Sequence, residues 1–290
     1  MTCRLSVDMT QLALIPPMPH LDLGITNMQF MLAHLCEEPR YLKFYRERNL
    51  KGDFLLLDNS AYEFDDSQRT MSQLLALGYY IQVDEIVAPD AICHERFTYA
   101  HALDSVAFMS STAGQHAWKR AGSPRIMVVP QVDPDTQGID GYTRITRMLM
   151  ETWHYTCPYL QGYITLGVSK NMDRLSGGWL LIFREVVREL IKEFPVQVHT
   201  LGLPHRLTQV RKVLRENPFI RSIDTAQPYV SAIQGYPMQV PDDSYPARLA
   251  DYATAELDED HQELALRNIA WLIEYLITPV NENAPAVLAE

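Results

Sequence analysis

The chain alternates short apolar runs with amphipathic stretches, and this alternation restricts the possible folds more than any other feature. Amphipathic stretches with apolar residues at helical spacing lie between the apolar runs, for example at 179–194 and 207–216. Strands that alternate with helices pair in parallel through βαβ units, so we predict a single (β/α)8 TIM barrel. Seven runs have the length of a buried strand: 12–15, 54–57, 86–88, 126–129, 163–166, 196–201 and 220–223.

The eighth strand that such a barrel needs has no obvious run of its own. The stretch between Tyr229 and Tyr252 could hold it, but the sequence does not indicate where. A helix from about Glu256 to Ile277 would then complete the fold. We therefore expect one domain over residues 1–277, with no zinc subdomain, and a flexible C-terminal tail over residues 278–290.

Polar or small residues follow six of the runs. The carboxyl ends of all strands in a (β/α)8 barrel meet on the face that carries the active site, so these residues would line one pocket. Each aspartate could instead be the N-cap of the helix that follows, because Asp is a favoured cap. Asp84 and Glu85 precede their run and are expected at the opposite end of the strand, in a structural role. The six residues are Asp58, Asp90, Gln131, Gly167, Gly202 and Asp224.

Several carboxylates in one dry pocket suit nucleophilic and acid–base chemistry. One carboxylate can attack while another, whose pKa is raised by burial and by like charge, transfers protons. Paired carboxylates commonly break a bond to an anomeric carbon through an oxocarbenium-like transition state. Asp90 and Gln131 offer acceptors and donors for the edge of a planar purine, and glycine permits close backbone approach. The residues therefore predict cleavage or exchange of an N- or O-glycosidic bond.

Other classes of site lack their sequence signature. The chain has no phosphate-binding loop, no dinucleotide fingerprint and no closely spaced metal ligands, so we expect neither a cofactor nor a metal. No run of about 18 apolar residues and no signal-peptide pattern occurs, which predicts a cytoplasmic protein with no membrane partner. The four isolated cysteines are expected to be free thiols, mostly buried as small apolar residues: Cys3, Cys36, Cys93 and Cys157.

The distribution of charge leaves a nucleic-acid partner possible despite the net charge of −11. Beyond residue 240 there are 2 arginines and 11 acidic residues, whereas residues 1–240 carry 23 basic and 25 acidic residues. The acidic stretch 251–263 is typical of a helix N-terminus, where carboxylates interact favourably with the helix dipole. Four basic residues could contact a nucleic-acid backbone or could form a solvated helix face: Arg206, Arg211, Lys212 and Arg215.

Six motifs in the chain resemble, in this order, those of the tRNA-guanine transglycosylase superfamily. They are LLLDNSAYE (55–63), DEIVAPD (84–90), IMVVPQV (126–132), YITLGVSK (163–170), HTLGLP (199–204) and SIDTAQPY (222–229). The N-terminal IPPMPHL and the FMLAHL…RYLKFY stretch resemble the compact, phage-type branch, the 7-deazaguanine DNA transglycosylases. The resemblance covers about residues 11–275. It implies a barrel enzyme that exchanges guanine in a nucleic acid for a 7-deazaguanine through a covalent enzyme–sugar intermediate.

The resemblance also implies a role for each matching residue. Asp224 would be the nucleophile that attacks the sugar C1′, and Asp58 would be the general acid/base. A second group of residues would bind the base. Asp90 and Gln131 would contact its edge through their side chains, and Gly167 and Val168 would contact it through their backbone. Leu201 and Gly202 would line the pocket.

The chain departs from the tRNA enzymes of that superfamily at several points. It lacks their C-terminal zinc site, and Asn59-Ser60-Ala61 replaces their glycine-rich loop after the first aspartate. Both differences favour DNA as the polymer and a free 7-deazaguanine base as the second substrate, with accessory DNA-modification proteins as further expected partners. Lys170 stands where the tRNA enzymes carry an acidic residue, so selection at the 7-substituent is expected to differ.

Three other functions stay open on the sequence. The same exchange could act on tRNA. Asp58 and Asp224 could serve a barrel glycoside hydrolase. The chain could also be a non-catalytic barrel that binds nucleic acid or a partner protein.

Overall fold

The computed structural model describes residues 10–278, apart from residues 136, 205, 243 and 244. Eight strands form a closed barrel in which every neighbouring pair is parallel and the strand order follows the sequence. The predicted (β/α)8 barrel is therefore confirmed. The strands are β1 Gln11–Leu14, β2 Met28–Leu32, β3 Phe54–Asp58, β4 Glu85–Val87, β5 Arg125–Val128, β6 Ile164–Ser169, β7 Gln197–Leu201 and β8 Ile220–Thr225.

Helices surround the barrel. The α-helices are α1 Pro39–Leu50, α2 Ala61–Phe64, α3 Met71–Ile81, α4 Glu95–Ser110, α5 Thr112–Arg120, α6 Gly138–Thr156, α7 Gly178–Leu181, α8 Arg188–Glu193, α9 Leu207–Glu216, α10 Gln227–Ile233 and α11 Glu259–Leu276. A π-helical segment, Ile182–Val187, joins α7 to α8. Short 3-10 helices occupy Met18–Leu23, Ala33–Glu37, Pro158–Leu160, Lys170–Arg174 and Tyr252–Thr254.

The prediction of an eighth strand between Tyr229 and Tyr252 was wrong. The described residues of that stretch form the end of α10 and irregular structure, and the missing strand is β2, the MQFML segment near the N-terminus. Gln29 interrupts its apolar run, although the side chain is buried and Nε2 donates to Asp53 Oδ2 over 3.2 Å. This one polar residue, which binds a side chain in the loop before β3, concealed the strand.

Alternate residues of each strand face the inside of the barrel, as the two-residue period of a strand requires. The lumen is filled by Ala13, Ile15, Met28, Phe30, Leu32, Leu56, Val87, Met127 and Val129. The intervening residues, such as Leu55, Leu57, Ile86, Ile126, Leu166 and Val168, belong to a larger cluster that includes the inner faces of the helices. The period carries on to the strand ends, so that Asp58 lies on the same face of β3 as Leu56.

A buried ion pair closes the amino-terminal end of the barrel. Glu85, the first residue of β4, is fully buried and forms an ion pair with Arg221 of β8. Arg125 of β5 lies 3.9 Å from the same carboxylate. Burial alone would raise the pKa of Glu85, but the two arginines and the hydroxyl of Thr165 hold that pKa below its ordinary value. Glu85 is thus at the end opposite Asp58, where a structural role was expected.

The acidic C-terminal stretch is the start of α11. Asp258 caps the helix by accepting a hydrogen bond from the His261 N–H over 2.9 Å, and two more acidic residues occupy the first turn. Residues 1–9 and 279–290, which include Cys3 and nearly all of the predicted tail, lie outside the described residues. Three cysteines lie in the described part of the chain and are free thiols: Cys36, Cys93 and Cys157. No helix in the described part of the chain is both long and apolar enough to cross a bilayer.

Candidate active site

A cavity of about 410 Å³ opens at the carboxyl ends of the strands. Its apolar wall continues the core of the lumen through Ile15, Phe30, Leu32, Val87 and Val129. Its volume lies within the range of small-molecule sites. The structure brings seven of the predicted site residues to this one cavity: Asp58, Asp90, Gln131, Leu201, Gly202, Arg206 and Asp224.

Asp58 is the last residue of β3 and is buried. Its Oδ2 accepts a hydrogen bond from the Ser60 N–H over 2.8 Å, and Ser60 adopts a left-handed conformation with φ of 65°. Burial raises the pKa of Asp58 well above its ordinary value, and the negative charges of Glu63, Asp90 and Asp224 raise it further. A carboxyl group in this state keeps its proton to a higher pH than an exposed aspartate does.

Asp90 is clamped between two side-chain amides. Asn59 Nδ2 donates to Oδ1 over 2.6 Å, and Gln131 Nε2 donates to Oδ2 over 2.8 Å. Burial raises the pKa of Asp90 to about 6, although both amides lower it. Above that pH the group is a carboxylate of fixed orientation whose oxygens keep lone pairs for a ligand.

Asp224 lies near the end of β8, and its carboxylate accepts two hydrogen bonds from the described residues, both at the same oxygen. Oδ1 accepts from His199 Nε2 over 3.0 Å and from the Gly202 N–H over 3.1 Å. His199 is fully buried in β7, and its Nδ1 lies 2.7 Å from Ser222 Oγ. Phe30 stacks on the imidazole with ring centroids 6.4 Å apart.

None of the three aspartates is a helix N-cap. The helices that follow them are α2, α4 and α10, and their N-cap residues are Ser60, His94 and Ala226. The side chains of Asp58, Asp90 and Asp224 line the cavity instead. The capping alternative is therefore excluded at all three positions.

Gly167 and Val168 do not line the cavity, unlike the other predicted base-binding residues. A Cβ on Gly167 would lie 2.8 Å from Val129 Cγ2 and 2.9 Å from Leu201 Cδ1, so this glycine gives room to the core of the lumen. Val168 is part of the cluster that packs against the helices. Ser169, at the end of the same strand, and Lys170 line the cavity in their place.

Two cations approach the ring of a tyrosine that lines the cavity, Tyr62. Lys170 Nζ lies 4.5 Å from the centroid of the Tyr62 ring, and Arg248 Cζ lies 4.7 Å from it. Arg248 also forms an ion pair with Glu63. Gly202 allows this packing, because a Cβ there would lie 2.7 Å from Lys170 Cδ.

The predicted basic cluster divides into two parts. Arg206 is exposed and lines the cavity. Arg211, Lys212 and Arg215 line a separate groove between α9 and Tyr275 of α11, where Arg211 Cζ lies 4.5 Å from the tyrosine ring centroid. Among these four residues, only Arg206 lies where it could contact a nucleic-acid strand that enters the cavity.

Sequence reasoning missed two residues that orient the predicted carboxylates, Asn59 and His199. Asn59 lies in a quoted motif but its contact with Asp90 depends on the pairing of β3 with β4. His199 carried a readable signal, because it is a polar residue in the middle of an otherwise buried strand. In the barrel it pairs in register with Ser222, one residue from a β-bulge.

The chain matches no protein-family model and no curated protein. In the described part of the chain, no group of three or more His, Cys, Asp or Glu side chains is arranged to hold a metal ion.

Proposed function

We propose that the chain is a cytoplasmic base-exchange transglycosylase that replaces guanine in DNA with a 7-deazaguanine. If a phage encodes it, the compartment is the host cytoplasm. The observation that carries the proposal is that the buried Asp58 and Asp224, from β3 and β8, line one cavity with the clamped Asp90. The order of motifs, which resembles the transglycosylases, also supports it.

The two aspartates would divide the first step between them. The Asp224 carboxylate attacks the sugar C1′, so that an O–C1′ bond forms while the C1′–N9 bond breaks and its electron pair leaves on guanine. Asp58, whose raised pKa favours the acid form, gives its proton to the departing base. The product is a covalent Asp224–sugar ester, free guanine and an Asp58 carboxylate.

The second step would reverse the first with a different base. Asp58 takes the N9 proton of the incoming 7-deazaguanine, and N9 attacks C1′ while the ester bond to Asp224 breaks. Both aspartates return to their starting protonation states. The exchange therefore needs neither a metal nor a redox partner to balance.

Asp90 and Gln131 would hold the base by its edge. The Asp90 carboxylate accepts from the ring N1–H and the exocyclic amine of guanine, which the 7-deazaguanines share. The Gln131 amide uses one hydrogen on Asp90 and keeps a second for the base carbonyl. Such a pair distinguishes guanine from adenine, whose edge presents the opposite pattern of donors and acceptors.

The burial of the two aspartates would restrict the form of the DNA. The C1′ of a stacked and paired nucleotide cannot reach a carboxylate inside the barrel, so the target nucleotide must be flipped out or single-stranded. Arg206, exposed at the cavity, is the candidate for a contact with the neighbouring phosphate. Accessory DNA-modification proteins would supply the other contacts that bind the duplex.

Trapping of the covalent intermediate tests the proposal. The protein is mixed with guanine-containing single-stranded DNA and a 7-deazaguanine, and the digest is searched by mass spectrometry for a sugar adduct on Asp224. We expect the adduct in the wild type and in D104N, which changes an exposed aspartate of α4, and we expect none in D224N.

Parallel reactions separate the alternatives. Labelled guanine should be incorporated into DNA and not into tRNA. Incorporation into tRNA alone would show that the substrate is tRNA and not DNA. An adduct formed from a glycoside without a nucleobase would indicate a glycoside hydrolase. Binding of nucleic acid with neither adduct nor exchange would indicate a non-catalytic barrel.

A further inference from the structure

Among the described residues, Asp224 is held through one of its two carboxylate oxygens. Both hydrogen bonds described for its carboxylate end on Oδ1, one from a side chain of β7 and one from a backbone amide at the end of that strand. Oδ2 belongs to the same cavity-lining side chain. A carboxylate with one oxygen fixed by two N–H donors has its other oxygen in a defined direction.

The His199 hydrogen bonds define its tautomer. A carboxylate oxygen can only accept, so Nε2 must carry the hydrogen that lies between His199 and Asp224. Ser222 Oγ already accepts from Arg221 Nε over 3.0 Å, and its own hydrogen is free to point at His199 Nδ1, 2.7 Å away. Each polar atom then has a partner when Nε2 carries the hydrogen toward Asp224 and Nδ1 accepts from Ser222.

We propose that His199 is a positioning residue that fixes Asp224 Oδ1 through its Nε2–H and so presents Oδ2 as the attacking atom. This inference rests on the proposed function, because it assumes that Asp224 attacks a sugar carbon. Oδ2 forms the bond to C1′ as the C1′–N9 bond breaks and the electron pair leaves on the base. Oδ1 keeps both of its hydrogen bonds through the step, which costs no reorganisation. His199 touches no substrate and exchanges no proton.

The residues around His199 hold its imidazole ring in one orientation. His199 is fully buried, Phe30 stacks on its face, and Ser222 holds the far nitrogen. Ser222 is in turn tied to Arg221, which pairs with the buried Glu85 at the other end of the barrel. The ring therefore cannot rotate away from Asp224 without breaking several buried contacts.

Two isosteric substitutions separate the Nε2 donor from the rest of the side chain. Glutamine in H199Q can place an amide N–H where Nε2 lies, whereas asparagine in H199N can reach Ser222 but not Asp224. Because a hydrogen bond to a charged group is lost, we expect kcat to fall by about 10- to 100-fold in H199N. H199Q should stay within about fivefold of the wild type by the same reasoning. KM for the free base should be nearly unchanged in both.

A spectroscopic measurement completes the test. In 15N-histidine-labelled protein, with H199Q used to assign the signal, the His199 shifts should show a hydrogen on Nε2. The Nδ1–H tautomer, whose Nε2 carries no hydrogen, or equal kcat values for H199N and H199Q would overturn the inference. If the wild type exchanges no base with any nucleic acid, the proposed function fails. The NMR signal still decides whether His199 donates to Asp224.

Discussion

Asn59 and Asp90, at the ends of neighbouring strands β3 and β4, are joined by a hydrogen bond of 2.6 Å between the amide Nδ2 and the carboxylate Oδ1. Gln131, beyond the end of β5, binds the other oxygen of the same carboxylate. Three successive strand ends therefore act as one unit. Asn59 belongs to the loop of the proposed general acid/base, so the group that would recognise the base and the group that would protonate it are mechanically linked.

Binding of the base should weaken at acidic pH, because Asp90 becomes protonated. Burial raises the pKa of Asp90 to about 6, so the acceptor form prevails above that pH. Protonation puts a donor opposite the N–H groups of guanine. Calorimetric titration with guanine, in a D58N background that removes the second carboxyl group of raised pKa, should show affinity falling by up to about tenfold per pH unit below 6. D90N should bind more weakly with no such slope, and a flat profile for D58N alone would contradict the assigned role.

Asp58 should destabilise the folded protein at alkaline pH. Its folded-state pKa is raised by burial, so its contribution to stability is complete below the unfolded-state pKa and is lost as the pH rises through the folded-state pKa. D58N removes the buried charge and can keep the acceptor for the Ser60 N–H. We expect D58N to melt above the wild type at pH 8, by about 2–4 °C per kcal/mol gained, and the difference to shrink on acidification. Scanning calorimetry measures this, with D104N as control; a lower melting temperature for D58N at pH 8 would refute it.

Gly167 should tolerate no side chain while Leu201 is present. A Cβ would lie within 3 Å of Val129 and Leu201, and overpacking of this kind costs about 1–3 kcal/mol. Urea unfolding should show this loss for G167A. The double variant G167A/L201V should lose less than the sum of its two single variants, because valine lacks the clashing Cδ1. Strict additivity would show that Leu201 is not the obstacle.

The ion pair at the amino-terminal end of the barrel should be costly to break from one side. E85Q leaves the Arg221 guanidinium buried with its main counter-charge removed, at a cost of about 3–5 kcal/mol in urea unfolding. The E85L/R221L double variant should be less destabilised than E85Q. Because the folded-state pKa of Glu85 is lowered, its stabilisation is present above the unfolded-state pKa and is lost as the pH falls through the folded-state pKa. Equal stability of E85Q and wild type would show the pair to be dispensable.

Arg206 should contribute more to nucleic-acid binding than Lys212. Both were candidates for backbone contacts, but only Arg206 lines the cavity, whereas Lys212 lies in the α9 groove, 3.9 Å from Glu216. Fluorescence anisotropy with single-stranded DNA over a range of salt concentrations should show the logarithmic salt slope of R206A reduced by about 0.7. K212A should keep the wild-type slope. The reverse result would move the DNA path to the outer groove.

The sequence was informative where chemistry follows directly from chain order. A strand that ends in Asp58 or Asp224 predicts a carboxylate on the active face, because all strands of a parallel barrel end there. Contacts between distant segments were not readable. Arg248 reaches Tyr62 and Glu63 across 185 and more positions, and only the closed barrel brings them together. β2 was missed because a single buried glutamine interrupts its apolar pattern.

The line of hydrogen bonds from Asp224 through His199, Ser222 and Arg221 to Glu85 runs along the inside of the barrel from one mouth to the other. Directed evolution toward new bases that varies only the loops around the cavity would leave this internal column untouched. Libraries meant to retune Asp224 should therefore also sample positions at the far mouth, around Glu85 and Arg221.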